Sequence, residues 1–218
     1  MLITARDVRK RYSSSDGDVT VLNGVSLDLD HGETLALTGE SGSGKSTLLH
    51  LLAALDAPDA GEITLQDTKL SDLSDTGRAE QRRQTVGLVF QQFNLIPALD
   101  VYANLTFQAR LADKLQSEWV TELTDRLGLT DLLHRYPEQL SGGQQQRVAI
   151  GRAMASKPPV LMADEPTGNL DEATAETVIN LLLELIEETG AGLLMVTHST
   201  KLASRLSRRV HLSNGKLA

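Results

Sequence analysis

Gly39-Glu40-Ser41-Gly42-Ser43-Gly44-Lys45-Ser46 satisfies the pattern G-x-x-x-x-G-K-[ST] at every fixed position. Its flanks agree with the motif. Thr34-Leu35-Ala36-Leu37-Thr38 alternates and predicts a strand, and the leucine-rich stretch from Lys45 to Leu55 predicts a helix. A strand, a glycine-rich turn and a helix start together make a cradle for phosphate. The glycines let backbone N–H groups turn inward where a Cβ would obstruct them, and the helix N-terminus adds its partial positive charge. Lys45 is placed to reach the β and γ phosphates of a nucleotide, and Ser46 to offer a hydroxyl to Mg²⁺. A flexible Gly/Ser turn would need neither the strand before it nor the helix after it.

Outward from this loop the chain reads as alternating strands and helices. Leu48, Leu49, Leu51, Leu52 and Leu55 place apolar side chains on more than one face of the helix, which points to burial between layers. Residues 1–38 are mostly strand, with Val25, Leu27 and Leu29 alternating with Ser26, Asp28 and Asp30. Tyr12 stands before a loop from Ser13 to Asp18. Its ring could stack on a base, but by position a strand end with a wet hydroxyl is the plainer reading. Glu62–Gln66 predicts a short strand, and the polar stretch to Gln84 a loop with a short helix around Arg78–Arg83, Arg82 and Arg83 lying on a solvated face. Val86–Phe90 is an apolar strand running into Gln91. Phe93 to Leu99 is apolar but interrupted by Pro97, hence an exposed loop.

Helices near Val101–Leu111, Ser117–Leu127 and Gly143–Ser156 follow without intervening strands. The region from about 91 to 156 therefore looks like a helical lobe inserted into an α/β domain. Val160–Ala163 restores the pattern, with Asp164 and Glu165 at the carboxyl end of a buried-type strand, the edge where open α/β sheets bind ligands. Val178, Leu181, Leu182, Leu185 and Ile186 mark an amphipathic helix closed by Gly190. The strand Leu193–Thr197 ends at His198, and a short helix and the strand Arg209–Leu212 complete the fold.

Composition narrows the class of protein. A chain of 218 residues with 40% hydrophobic residues suits one large domain, or one domain with an inserted lobe. No apolar run reaches about 18 residues, and no secretory leader pattern is visible. With zero cysteines there are neither disulfides nor thiolate metal sites. A net charge of −8 opposes a chain-wide electrostatic footprint for nucleic acid.

Asp164 is placed to hold Mg²⁺, directly or through water, and Glu165 to orient or deprotonate an attacking water. With Pro166 the pair also suits an ordinary turn, and His198 alone would be structural. The stretch Leu140-Ser141-Gly142-Gly143-Gln144-Gln145-Gln146-Arg147 opens a helix with a serine N-cap and two glycines, a second anion-binding helix start.

With that stretch, the whole chain resembles the nucleotide-binding ATPase subunits of ABC transporters, all of whose motifs occur in order. Tyr12 matches the adenine-stacking aromatic, Gly39–Thr47 the Walker A loop, and Gln91 the Q-loop glutamine. Ser141, Gly142, Gly143 and Gln144 match the signature, Asp164 and Glu165 the Walker B pair, Gly168–Asp171 the D-loop, and His198 the switch histidine. Within the family, Gly39–Thr47, Phe93–Pro97 and Ala163–Asp171 resemble the lipoprotein-releasing and macrolide-export group. Ala54 replaces that group's usual glycine, expected to be a minor packing change, and Ser199 stands where aspartate is common.

The resemblance implies a P-loop NTPase (RecA-like) α/β core, residues 1–90 and 157–218, with an N-terminal antiparallel β subdomain and an inserted helical subdomain at about 91–156. It implies ATP and Mg²⁺ as ligands, with Ser46, Gln91 and Asp164 toward the metal. Lys45 and Gln91 would position the γ-phosphate and water, Glu165 would act as base, and His198 would stabilise the transferring phosphate. Glu40, Ser41, Gly42, Ser43, Gly44 and Thr47 complete the nucleotide cradle. It further implies a head-to-tail dimer with a second copy, each phosphate loop facing the partner's Ser141–Gly143. A separate transmembrane permease subunit would meet Gln91–Leu99 and the helical subdomain, placing the protein peripherally on the cytoplasmic face of the inner membrane. A soluble ABC ATPase acting on nucleic acid or ribosomes is the alternative. It usually needs basic arms, coiled coils or paired cassettes, and 218 residues leave no room for them. A phosphate-loop kinase for a small molecule would not carry the signature at Leu140–Gln144.

Overall fold

The computed structural model describes residues 1–14 and 17–217. Strands β1 (Ile3–Ser14) and β2 (Gly17–Leu29) precede β3 (Thr34–Thr38), helix α1 (Lys45–Leu52), and the short strands β4 (Ala60–Leu65) and β5 (Thr68–Lys69). Helix α2 (Asp75–Thr85) leads into β6 (Val86–Val89). Helices α3 (Val101–Leu111), α4 (Ser117–Arg126) and α5 (Gly142–Met154) follow. Then come β7 (Val160–Asp164), α6 (Glu172–Thr189), β8 (Gly192–Val196), α7 (Thr200–Ala203), β9 (Arg208–Ser213) and β10 (Lys216–Leu217). By internal contacts the chain divides into two compact units, Met1–Arg82 with Gly192–Ala218, and Arg83–Ala191.

In the first unit β2, β1, β4 and β5 form an antiparallel sheet. Its buried face is the alternation expected from sequence: Val25, Leu27 and Leu29 face inward from β2, beside Ile3 and Ala5 of β1 and Ile63 and Leu65 of β4. Of the expected Ser13–Asp18 loop, residues 15 and 16 lie outside the described residues, and the flanks at Ser13, Ser14, Gly17 and Asp18 belong to the strands.

Strand β3 runs parallel to both β8 and β9, and β10 returns antiparallel to β9. Leu35, Ala36 and Leu37, with Leu193 through Val196, are buried, as parallel strands covered on both faces require. Helix α1 buries Leu48, Leu49, Leu51 and Leu52. It stops three residues short of the expected end, because Ala54 takes a left-handed φ of 56° and turns the chain, leaving Leu55 exposed.

Two expectations about this corner need correcting. Ala54 in place of glycine is a matter of backbone strain rather than of packing, because it sits in the left-handed region that glycine takes freely. A left-handed alanine costs about 1–2 kcal/mol, against which a buried methyl contributes about 0.8 kcal/mol, so the net change is still small. Arg82 is no solvated-face residue: its Nη1 donates to the Ala54 carbonyl at 2.6 Å, at the end of α1. Burial, and then the charge of Arg78, hold its pKa below the ordinary arginine value. Arg83 is exposed, as expected.

In the second unit β6 and β7 pair in parallel, Val86 opposite Val160 and Val89 opposite Ala163. Helix α5 packs against α3, β6 and α6 and is the most deeply buried helix here, with Val148, Ala149 and Ile150 fully inside. Trp119 of α4 is buried with its indole N–H donating to the Met154 carbonyl at 3.0 Å, which satisfies its polar edge. Gly190 closes α6 with a φ of 66°, the left-handed cap its position predicts.

Candidate nucleotide site

Within the first unit, residues 39–44 form the turn between β3 and α1. The N-cap of α1 is Gly44, which has no side chain to offer the first-turn N–H groups, so a ligand is free to take them. Lys45 is only 5% exposed, and its ammonium donates to the carbonyls of Gly39 (3.1 Å) and Glu40 (2.7 Å). Two of its three protons are thereby used, leaving one for an incoming oxygen. Ser43 Oγ is buried without a hydrogen-bond partner among the described residues. Such an orphan costs about 1–3 kcal/mol, and a phosphate oxygen is an acceptor suited to it. Glu40, Ser41, Gly42 and Ser46 are exposed, and Thr47 is half-buried.

Gly39 has a role the motif alone does not reveal. At its φ of 152°, a Cβ would lie 2.2 Å from the Leu212 carbonyl oxygen of β9. The residue must be glycine so that β9 can pack against the loop.

His198 follows β8 and is exposed at the carboxyl edge of these parallel strands. Together with Gly39, Glu40 and His211 it lines a cavity of about 320 Å³. The glycine-rich turn and His198 are thus neighbours. Tyr12, on β1, is 44% exposed, and its hydroxyl donates to Asp56 at 3.2 Å.

Within the second unit the parallel register of β6 and β7 carries Gln91 and Asp164 to the same edge. Glu165 follows with a φ of 46°, a left-handed conformation that costs a non-glycine residue about 1–3 kcal/mol. Its carbonyl accepts from Gly168 N at 3.0 Å, closing the turn. Asn169 Nδ2 donates to the Gln91 carbonyl at 2.8 Å. The Gln91 side chain lies close against Gly168. Asp171 caps α6, and the hydrogen bonds from Thr174, with that of Ala173, hold its carboxyl below the usual aspartate value.

Ser141 is the N-cap of α5: its hydroxyl accepts from Gln144 N at 3.3 Å while Gln144 Oε1 accepts from Ser141 N at 2.8 Å. This reciprocal capping leaves the serine O–H proton available as a donor. Gly142 packs within contact range of Leu170 and Phe93. A Cβ on Gly143 would meet Thr174 Cγ2 at 2.5 Å. The start of α5, the segment around Leu170 and Thr174 and the segment after Gln91 therefore form one packed group inside this unit.

Several residues that shape these segments escaped sequence reasoning. Arg152 is 7% exposed, and its guanidinium donates to the carbonyls of Asn94 (2.6 Å) and Phe93 (3.0 Å). Burial holds its pKa below the ordinary arginine value. Asn104 is fully buried and binds both the N–H and the carbonyl of Ile96, and the carbonyls of Leu99 and Asp100. These bonds hold the apolar loop inward, so that Phe93, Leu95, Ile96 and Leu99 are half-buried rather than exposed; Pro97 alone of that cluster is exposed. The available signal was a single charge, Arg152, in the apolar run Val148–Ala155.

A protein-family model described as "ABC transporter" matches residues 22–168. The lipoprotein-releasing system ATP-binding protein LolD of Nitrobacter hamburgensis is 43% identical over 217 residues, covering 98% of this chain and 94% of that protein. The uncharacterized ABC transporter ATP-binding protein YbbA of Escherichia coli K12 is 43% identical over 219 residues, covering 99% of this chain and 96% of that protein. The dimeric post-hydrolysis structure of the ATP-binding cassette MJ0796, bound to ADP and Pi, superposes with a TM-score of 0.90 at 37% identity. That superposition covers 99% of this chain and 96% of the other. The expected fold class, α/β with an antiparallel sheet and a helical region, is the observed one.

Proposed function

The chain belongs to the ABC transporter ATPase family, and from that premise we propose how its residues divide the work on ATP and Mg²⁺. It is an ATP-binding subunit of the LolD-like kind, and ATP hydrolysis is its activity. The observation that carries the assignment of residues is the phosphate loop: a buried Lys45 ammonium and an unpartnered Ser43 hydroxyl at a helix start capped only by Gly44.

In this reading Gly39–Thr47 hold the phosphates through backbone N–H groups, and Lys45 turns its remaining proton to the β and γ oxygens. Ser46, Gln91 and Asp164 would offer Mg²⁺ a hydroxyl, an amide oxygen and a carboxylate, and the metal would neutralise charge on the nucleotide phosphates. Glu165 accepts the proton of the attacking water, its left-handed backbone fixing where the carboxylate can reach. His198 donates toward the transferring phosphate. Tyr12 offers its exposed ring to the adenine.

The chain works as a head-to-tail dimer. Ser141, Gly142, Gly143 and Gln144 of one copy present the α5 start to the γ-phosphate held by the other, the serine proton left over by the capping box being the donor. That the MJ0796 cassettes are dimeric supports a dimer here. No helix among the described residues is long and apolar enough to cross a membrane. The membrane-spanning part is a separate subunit that meets Gln91–Leu99 and the helical segment at about 91–156, holding this chain on the inner face of the membrane. The coupled process is lipoprotein or lipid export, drug export, or mechanical work on the envelope, and the lipoprotein-releasing LolD relatives favour the first.

Replacing Glu165 by Gln keeps the shape and removes the base. Hydrolysis should fall by about 10²-fold or more while ATP still binds, and ATP should then hold a dimer visible by light scattering. Unchanged turnover would remove Glu165 from the mechanism.

A further inference from the structure

Lys10 is the one lysine besides Lys45 that the first unit buries among its described residues, at 8% exposure. A buried ammonium is costly unless paired and hydrogen-bonded. Its Nζ lies 2.8 Å from Asp56 Oδ2, donates to the Ala57 carbonyl at 2.8 Å, and stands 3.9 Å from Asp59. The same Oδ2 of Asp56 accepts the Tyr12 hydroxyl at 3.2 Å. Lys10 and Tyr12 are two residues apart on β1, hence on one face of the strand. The ammonium also sits 5.3 Å from the centre of the Tyr12 ring, within cation–π range.

Asp56 belongs to the turn that leaves α1, the helix whose other end is the phosphate loop. The backbones of the two segments are tied as well: Arg11 N donates to Asp59 Oδ2 at 2.6 Å, and Asp59 N to the Arg9 carbonyl at 2.9 Å. Burial pushes the Asp56 carboxyl up, but Lys10, the Ala57 N–H and the Tyr12 hydroxyl together outweigh it and leave its pKa below the usual value. The carboxylate is therefore ionised at neutral pH and accepts from both groups at once.

We infer that Asp56, held by Lys10, is a positioning residue that fixes the Tyr12 ring as a platform for the base of the nucleotide. The inference rests on the reading of Tyr12 as the base-stacking residue. A tyrosine anchored only at its Cβ must give up ring freedom when a base lands on it. One that is also held by its hydroxyl has already done so, and only its exposed face remains to be covered. Because the anchor is the exit turn of α1, the base platform and the phosphate loop are referenced to the same helix.

The test compares Kd values for ATP and for inorganic tripolyphosphate, which lacks a base, in the wild type, Tyr12→Ala, Tyr12→Phe, Asp56→Ala, Lys10→Met and the double variant Tyr12→Phe/Asp56→Ala. Tyr12→Phe keeps the ring and loses the anchored hydroxyl. It and Asp56→Ala should each weaken ATP binding about 3- to 10-fold, the size of ordering one side chain. Tripolyphosphate binding should not move. The double variant should be no weaker than either single one, since both cut the same bond. Equal loss for ATP and tripolyphosphate in Asp56→Ala or Lys10→Met would mean a general structural role and overturn the inference, as would additive losses in the double variant. If Tyr12→Ala lowers ATP affinity while Tyr12→Phe and Asp56→Ala do not, stacking stands and the positioning role fails. If Tyr12→Ala leaves the ratio of the two Kd values unchanged, the base-stacking reading itself fails.

Discussion

Gly143→Ala is a small change with a calculable outcome. Gly143 is the second residue of α5, and the added Cβ would lie 2.5 Å from Thr174 Cγ2 on α6. Carbon atoms rest at about 3.5–4.0 Å, so the two helix starts must separate by about 1 Å or Thr174 must leave its rotamer. Overpacking of this kind costs about 1–3 kcal/mol. Alanine is the better helix former by about 1 kcal/mol, which leaves a net loss of about 0–2 kcal/mol. Thr174→Ser removes the obstructing methyl and keeps the N–H that donates to Asp171 at 3.0 Å. In the serine background Gly143→Ala should therefore be neutral or stabilising. Urea unfolding of the four nucleotide-free proteins measures the coupling, expected at about 1–3 kcal/mol. Because alanine retains the backbone N–H proposed to meet phosphate, ATP hydrolysis should recover along with stability in the double variant. Equal destabilisation by Gly143→Ala in both backgrounds would refute the contact as the reason for glycine.

Arg152→Met should strip the Phe93 and Asn94 carbonyls of their donor, each a bond to a charged group worth about 1.5–3 kcal/mol. Hydrogen exchange across residues 91–99 should accelerate, with kcat falling more than ATP affinity, and Arg152→Lys should recover part of the loss. A uniform decline in both parameters without faster exchange would assign Arg152 to general stability instead. For the membrane partner, the absence of cysteine allows single probes without background. Ala98→Cys, exposed beside Pro97, should crosslink to the transmembrane subunit with a yield that changes on adding ATP, while Glu188→Cys on α6 should not. Equal yields from the two, or none from Ala98→Cys, would move that interface elsewhere.

Wherever the determinant is a local backbone pattern, the amino-acid sequence was sufficient. The turn at residues 39–44, the opening of α5 at Ser141, the glycine cap at Gly190, and the strands that run up to Asp164 and to just before His198 all follow from residues within a few positions of one another. Each of those residue types limits φ or supplies a short-range hydrogen bond, and tertiary context does not need to choose. Side-chain partners distant in the chain could not be read this way. The Ala54 carbonyl that engages Arg82, the carbonyls of Phe93 and Asn94 that engage Arg152, and the Asp56 oxygen that receives both Lys10 and Tyr12 lie 28 to 59 positions from their donors. Charge pattern marked Arg82 as solvated, and the break at Pro97 marked the loop after Gln91 as exposed, because a cation or an amide satisfied by backbone carbonyls leaves no complementary charge in the sequence. Gly39 makes the same distinction within one residue. The motif requires glycine there for phosphate, whereas the Leu212 carbonyl of β9, which only the folded chain brings to it, leaves no space for a Cβ in any case.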